Sequence, residues 1–243
     1  MSDRRTHRGA DPRDAEAFAP DVRPALRGAV DELSWLLERG YTPVASLKLV
    51  GDHWSLTERQ RMAVLRSSCG DSALSRRQAH RVEPASVAQS GGTLQIDAFN
   101  VLTTVEAALG GAVVLVGRDG CLRDIAGVHG TYRKVEETLP ALRLVGETLE
   151  RLGVACCTWL LDRPVSNSGR LRAAMEVVAA ERGWVWQIEL VDNPDPILAA
   201  SPEVVATADS VILDRCERWL NLSRTVVETA VPNANVVDLS AAP

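Results

Sequence analysis

Residues 93–109, TLQIDAFNVLTTVEAAL, constrain the fold more than any other stretch: an apolar run reaches an aspartate and passes at once into a helical pattern. Thr93 to Ile96 reads as a buried strand, while Val101, Leu102, Val105, Ala108 and Leu109 recur at helical spacing. Asp97 therefore falls at the carboxyl end of a strand, the edge where open α/β sheets hold their ligands. A charge at the lip of a buried strand is costly unless it is paired, hydrogen-bonded or bound to a cation. Two roles fit Asp97 on this stretch alone, N-cap of the following helix or first ligand of a cation site.

The same arrangement recurs downstream. ACCTWLLD closes a strand on Asp162, WVWQIELV (184–191) is a further strand ahead of Asp195 in NPDP, and EVVATADSVILD (203–214) brings a strand's end to Thr207 and Asp209. Amphipathic helical patterns lie between them, starting near Thr138, over 166–183, and over 222–231. Strands at Ala112–Val116 and Asn235–Leu239 complete the pattern, which predicts an α/β fold with a mostly parallel central sheet. Right-handed crossovers run such strands parallel, so the aspartates at their ends should converge on one edge.

Ahead of this region the pattern is all helical. Residues 1–20 carry no periodicity and read as a mobile arm. From 21 to 85, Val22, Leu26, Val30, Leu33 and Leu37 line one face, Thr42 and Pro43 open a short helix that Gly51 ends, and Ser55 with Glu58, or Thr57 with Gln60, can form a capping box for the next. PASVAQSGG (84–92) marks a boundary, giving an arm, a small helical domain over 21–85 and an α/β domain over 92–243. The helical part ends in a lopsided run of basic residues that includes Arg76, Arg77 and Arg81. Such a run is either a solvated face or a nucleic-acid-binding patch.

At 243 residues and 46% hydrophobic content the chain can bury a sizeable core. A net charge of −5 argues against wholesale electrostatic capture of nucleic acid and leaves only local basic patches open. Five cysteines form no CxxC pair, and no segment approaches the roughly 18 apolar residues that span a bilayer. The expectation is a cytoplasmic protein with buried thiols and no membrane partner.

A cluster of Asp97, Asp162 and Asp209 would raise its own pKa values by mutual repulsion, and a divalent cation would relieve that. Oxygen ligands without His or Cys favour Mg²⁺ or Mn²⁺ over zinc. Magnesium on a few carboxylates suits phosphoryl transfer and nuclease chemistry.

The order IDAFN, LLD, Asp195 and VVATADSVILD resembles the PIN-like nuclease superfamily, and especially its NYN branch, over residues 93 to about 240. That resemblance implies a PIN-like three-layer sandwich, catalytic Asp97, Asp195, Asp209 and Asp162, a metal held by Asp97, Asp195 and Asp209, and single-stranded RNA as substrate. It gives Asn100 and Thr207 supporting roles beside ligand and phosphate, with Asp214 a helical extra. The chain as a whole also resembles an uncharacterised prokaryotic family, domain of unknown function 434, through its helical front half, RDGCLRDIAGVHGTYR and PVSNSGR. The long loop 117–133 departs from the PIN pattern. It carries Arg123, His129 and Arg133 and reads either as a substrate lid or as a structural loop stapled by Arg and Asp pairs. Ser168 and Arg170 open a helix where backbone N–H groups could hold a phosphate, with plain capping as the alternative. His129 is not expected to be a ligand.

Three functions fit these residues. They are a Mg²⁺- or Mn²⁺-dependent endoribonuclease, a non-catalytic RNA-binding or interaction protein on the same fold, and, least supported, an aspartyl phosphatase, since Phe99 stands where a second acid would follow Asp97.

Overall fold

The computed structural model describes residues 7–90, 92–125 and 132–240. A short helix α1 (Asp14–Ala17) precedes four helices, α2 (Arg23–Glu38), α3 (Pro43–His53), α4 (Glu58–Ser67) and α5 (Asp71–His80). The α/β part follows as β1 (Thr93–Asp97), α6 (Ala98–Leu109), β2 (Val114–Val116), β3 (Leu122–Asp124), α7 (Thr138–Arg151), β4 (Cys156–Asp162) and α8 (Ser168–Arg182). It ends with β5 (Trp186–Val191), α9 (Pro194–Ala199), β6 (Val204–Ala206), α10 (Ser210–Leu213), β7 (Trp219–Leu220), α11 (Leu222–Ala230) and β8 (Val236–Asp238).

The main sheet has the order β5-β4-β1-β6-β7 with every pairing parallel. From β1 the chain builds outward through β4 to β5, then returns to the other side of β1 for β6 and β7. The order therefore reverses between β1 and β6, and such a reversal opens a crevice at the strands' carboxyl ends. Period-two alternation divides the faces. Cys157, Trp159 and Leu161 of β4 point to the core shared with α6, α7 and α8, while Leu160 and Val205 point to the side covered by α9 and α10. Helix α6 is buried on nearly all sides, including Val101, Leu102 and Val105 at 0% exposure. Each such side chain contributes about 1.5–3 kcal/mol of burial, which fixes the strand-to-helix junction carrying Asp97.

The strands at 114–116 and 236–238 do not join this sheet. They form a second sheet of order β3-β2-β8, in which β2 runs antiparallel to β3 and parallel to β8. Part of the loop expected over 117–133 is thus a strand; Ala126 to Thr131 of that loop, His129 among them, lie outside the described residues. The small sheet is a partition. Val114, Val116 and Leu122 pack toward α6 and α11, whereas Leu115 and Val237 pack with Leu26, Leu33 and Val64 of the helical unit. The capping box at Thr57 is present. Helix α3, expected to stop at Gly51, runs to His53, because Gly51 is buried against the Arg61 guanidinium and its amide stays in the helical ladder. No helix among the described residues is long and apolar enough to cross a membrane.

From residue 7 onward the expected mobile arm is packed. The Arg8 guanidinium lies 2.7 Å from the carboxylate of Glu106, which is fully buried in α6 and also accepts from the Thr138 and Tyr132 hydroxyls. Buried Asp14 accepts from Arg59, and Phe18 enters the helical core. Sequence periodicity could not reveal this, because the segment is held by ion pairs with partners far along the chain. A Cβ at Gly110 would stand 2.7 Å from the Arg8 carbonyl oxygen and 2.8 Å from its carbon, backbone atoms that cannot rotate aside. Gly110→Ala is accordingly expected to lift this segment and cost about 1–3 kcal/mol, in line with overpacking elsewhere. A lowered urea midpoint would show it, and an unchanged midpoint would mean that the segment adds no stability.

Candidate active site

Asp97 ends β1, Asp162 ends β4, Asp195 opens α9 just beyond β5, and Asp209 follows β6. Because the strands are parallel, all four carboxylates reach the same edge. They line one cleft of about 900 Å³ together with Asn100, Asp124 and Asp214. Its opposite wall comes from the helical unit, with Leu37, Met62, Leu65 and Arg66. No sequence motif pointed to that apolar wall, whereas Arg66 belonged to the basic run and Asp124 to the loop 117–133.

The floor is tightly organised around Thr207. Its hydroxyl donates to Asp97 Oδ2 at 2.8 Å and accepts from the Asp209 N–H at 3.0 Å, joining the two carboxylate-bearing junctions through one side chain. The Asn100 Oδ1 accepts from the Ala208 N–H at 2.8 Å, so Asn100 orients the β6 turn rather than the Asp97 carboxylate. Asp209 Oδ1 caps α10, accepting from the N–H groups of Val211 and Ile212. Its other oxygen has no hydrogen bond among the described residues. The Asp97 carboxylate lines the cleft beside the start of α6.

Burial, and then the charges of Asp209 and Asp162, raise the Asp97 carboxyl to about 7 against the pull of the Thr207 hydroxyl and the Asn100 N–H. Asp162 and Asp195 are also raised, first by burial and then by the neighbouring carboxylates Asp195 and Asp209 respectively. Mutual repulsion on a strand edge is a feature of sites that hold or move charge. The donor set consists of hard oxygens without His or Cys, which suits Mg²⁺ or Mn²⁺. Among the described residues, however, no three His, Cys, Asp or Glu side chains are gathered closely enough to ligate one ion together. A cation held there would rest on at most two of these carboxylates together, not on the three-aspartate ligand set.

The arginines fall elsewhere than a surface patch. Arg77, 2% exposed, donates to Asp119 at 2.6 Å and to Asp214 at 2.7 Å. Arg123, 6% exposed, donates twice to Asp119, at 2.9 and 2.6 Å, and to the Ala208 carbonyl at 2.8 Å. Arg76 donates to the Asp214 and Arg215 carbonyls, and Arg81 faces Glu83 at 3.6 Å. The heads of Arg76 and Arg77 thus clasp α5 to the α/β part, where each finds acids or carbonyls, whereas Arg81 faces Glu83, two residues on in the chain. Likewise Arg123, which also lines the cleft, braces the β6 turn. Ala208 is gripped on both sides, its N–H by Asn100 and its carbonyl by Arg123. Ser168 is buried with its hydroxyl on the Arg163 carbonyl, Arg170 is exposed and bonds Asn167, and Arg133 is half-buried; none of the three lines the cleft.

Two families match this chain. Residues 87–225 match one described as domain of unknown function (DUF5616), and residues 25–80 match one described as protein of unknown function (DUF434). The resemblance to family 434 therefore covers the helical unit, and the carboxylate-bearing part has its own family. An uncharacterized protein of Methanocaldococcus jannaschii, MJ0935, is 30% identical over 195 residues, spanning 78% of this chain and 89% of its own. No solved structure matches.

Proposed function

The chain belongs to the DUF5616 family, and we propose that it is a divalent-cation-dependent nuclease of PIN-like type that hydrolyses phosphodiester bonds of single-stranded RNA. The observation that carries this reading is the meeting of Asp97, Asp162, Asp195 and Asp209 at one sheet edge, with Asp97 buried and lifted to about 7 by burial and by its acidic neighbours. Order and spacing of these residues along β1, β4, β5 and β6 support the PIN-like assignment. Mg²⁺ or Mn²⁺, when bound, supplies an activated water and neutralises phosphate charge. Asp97 and Asp209 would hold it, because Thr207 fixes the two relative to each other. Asp195, raised in part by the Asp209 charge, and Asp162 would orient water and take up its proton. Asn100 and Arg123 keep the Ala208 peptide, and so the Asp209 junction, in register.

A non-catalytic RNA-binding role is the second reading, favoured because no three of the carboxylates among the described residues come close enough to hold one ion. One assay separates the two. With Mn²⁺ and a mixed single-stranded RNA, the wild type should cleave, and Asp97→Asn or Asp209→Asn should lower kcat by about 10²-fold or more while RNA affinity stays near that of the wild type. Binding without cleavage across several RNAs and single-stranded DNA would leave the binder. Cleavage that survives both substitutions would place the chemistry elsewhere.

A further inference from the structure

We infer that a second copy of this chain pairs with β5 across a two-fold axis, strand against strand and antiparallel, so that two main sheets join edge to edge. The inference does not depend on the nuclease reading. It rests on the open edge, on the backbone groups that this edge presents, and on the side chains that flank them.

The two edges of the main sheet are treated differently. Along β7 the edge is covered, because Arg81 bridges to Trp219 and the Val82 N–H donates to the Trp219 carbonyl at 2.7 Å. At the other side β5 meets no strand but β4 among the described residues, and Trp186–Val191 pair with it in unbroken register, without a bulge. Proteins blunt long edges with Lys, Pro, a bulge or a covering element. The stretch WVWQIELV (184–191) has no Lys, Pro or Gly, and Glu189 is its one charge.

The backbone of this edge is self-complementary. The Val185 and Val191 carbonyls accept from the Cys157 and Arg163 N–H groups, so the odd-numbered residues of β5 are turned to β4. By the alternation of a strand, Trp186, Ile188 and Leu190 turn their N–H and C=O groups outward. Two of those six groups are already engaged: the Trp186 N–H donates to the Trp184 carbonyl at 3.1 Å, and the Leu190 carbonyl accepts from the Arg163 guanidinium at 2.6 Å. The other four are the Ile188 N–H and C=O, the Trp186 C=O and the Leu190 N–H. With the axis at Ile188, the two copies of Ile188 exchange both of their bonds, and each Leu190 N–H meets the Trp186 carbonyl of the other copy. All four groups are satisfied by the same strand in its second copy.

Side chains select that register. Gln187 and Glu189 are both exposed, and with the axis at Ile188 each Gln187 stands opposite a Glu189, where the carboxamide can donate to the carboxylate. An axis at Glu189 would set the two Glu189 carboxylates against each other, which like charge disfavours. An axis at Gln187 would put Leu190 opposite residue 184, beyond the end of the partner strand, and leave its N–H unpaired. Antiparallel pairing also points the carboxyl ends of the two sheets in opposite directions, so the two clefts lie at opposite ends of the joined sheet.

The experiment is sedimentation equilibrium of the full chain from about 5 to 300 μM, a range suited to a small interface. The wild type should pass from 26.3 kDa to twice that mass as concentration rises. Gln187→Glu, which places carboxylates opposite each other at both symmetry-related positions, should weaken the dimer about tenfold or more. Adding Glu189→Gln to Gln187→Glu exchanges the two residues, which the axis makes equivalent, and should restore the wild-type dissociation constant to within about twofold. Melting temperatures of both variants should match the wild type, since the two side chains are exposed. A wild type that stays monomeric throughout overturns the inference and leaves the edge to solvent or to another protein's strand. A dimer that Gln187→Glu does not weaken belongs to another face and overturns it as well. So does a weakened dimer that the exchange fails to restore, because the two-fold register at Ile188 requires that restoration.

Discussion

Asp97→Asn is expected to melt about 10 °C above the wild type at pH 8 without divalent cations, and close to it at pH 4. The cause is the proton that the native site holds. Burial, and then Asp209 and Asp162, raise the folded value to about 7, against about 3.9 in the unfolded chain. A raised folded value means that the native state binds the proton more tightly. The associated stability is full below about pH 4, declines as pH rises, and is gone above the folded value. By pH 8 that loss is about 4 kcal/mol, and a carboxamide, which never ionises and still accepts from Thr207, escapes it. Mn²⁺ should reverse the order, because only the wild type gains from cation binding to the native state. Melting curves from pH 4 to pH 8 would decide. A gap that does not vary with pH would mean that Asp97 is not the group responsible.

Asp119→Asn should be the most damaging single change in the clasp, at about 3–5 kcal/mol in urea unfolding. Asp119 is 6% exposed and stands between Arg77 and Arg123, both buried. Losing its charge leaves two guanidiniums facing each other out of water. Adding Arg123→Met to Asp119→Asn should cost less than the sum of the separate losses by about 1 kcal/mol or more, since the pair no longer leaves a stranded charge. Strict additivity would mean that the two do not interact energetically. The pH sense is opposite to that of Asp97. Burial alone would raise Asp119, but the charges and hydrogen bonds of Arg123, with the charge of Arg77, hold it well below the usual carboxylate range. Its stabilisation is therefore present above about pH 4 and lost as pH falls. The two aspartates together confine the greatest stability of the metal-free protein to mildly acidic pH.

The two aspartates also differ in how far sequence could disclose them. Asp97, Asp162 and Asp209 were legible because an apolar run followed by an acid and a helical pattern is a local signal, and parallel topology then dictates a shared edge. The strand at Leu122–Asp124 was not, since Leu, Arg and Asp show no apolar alternation and the arginine is buried only because Asp119 meets it. The ion pairs of Arg77 were hidden for a similar reason. Counting charge along α5 found few opposing acids nearby, but Asp119 and Asp214 oppose Arg77 from 42 and 137 residues away. The apolar wall of the cleft was hidden for another reason. Leu37, Met62 and Leu65 obey the helical periodicity that marks core, and nothing in a helix repeat distinguishes a residue that faces a core from one that faces a cleft.

The small sheet sets the order in which the protein can be finished. Its β8 strand, residues 236–238, follows the whole of the main sheet in the chain, yet Val237 belongs to the apolar seat of helices α2 and α4, and the Asp238 carbonyl accepts from Arg27. During synthesis the first helices emerge long before the strand that completes their seat, with about 10–40 s of elongation between them. Until then Leu26, Leu33 and Val64 lack part of their cover, and closure waits on a contact 211 residues apart in sequence, a slow kind of step. The cleft, with one wall on those helices, would be among the last parts of the molecule to form, so that an unfinished chain would not yet possess the site.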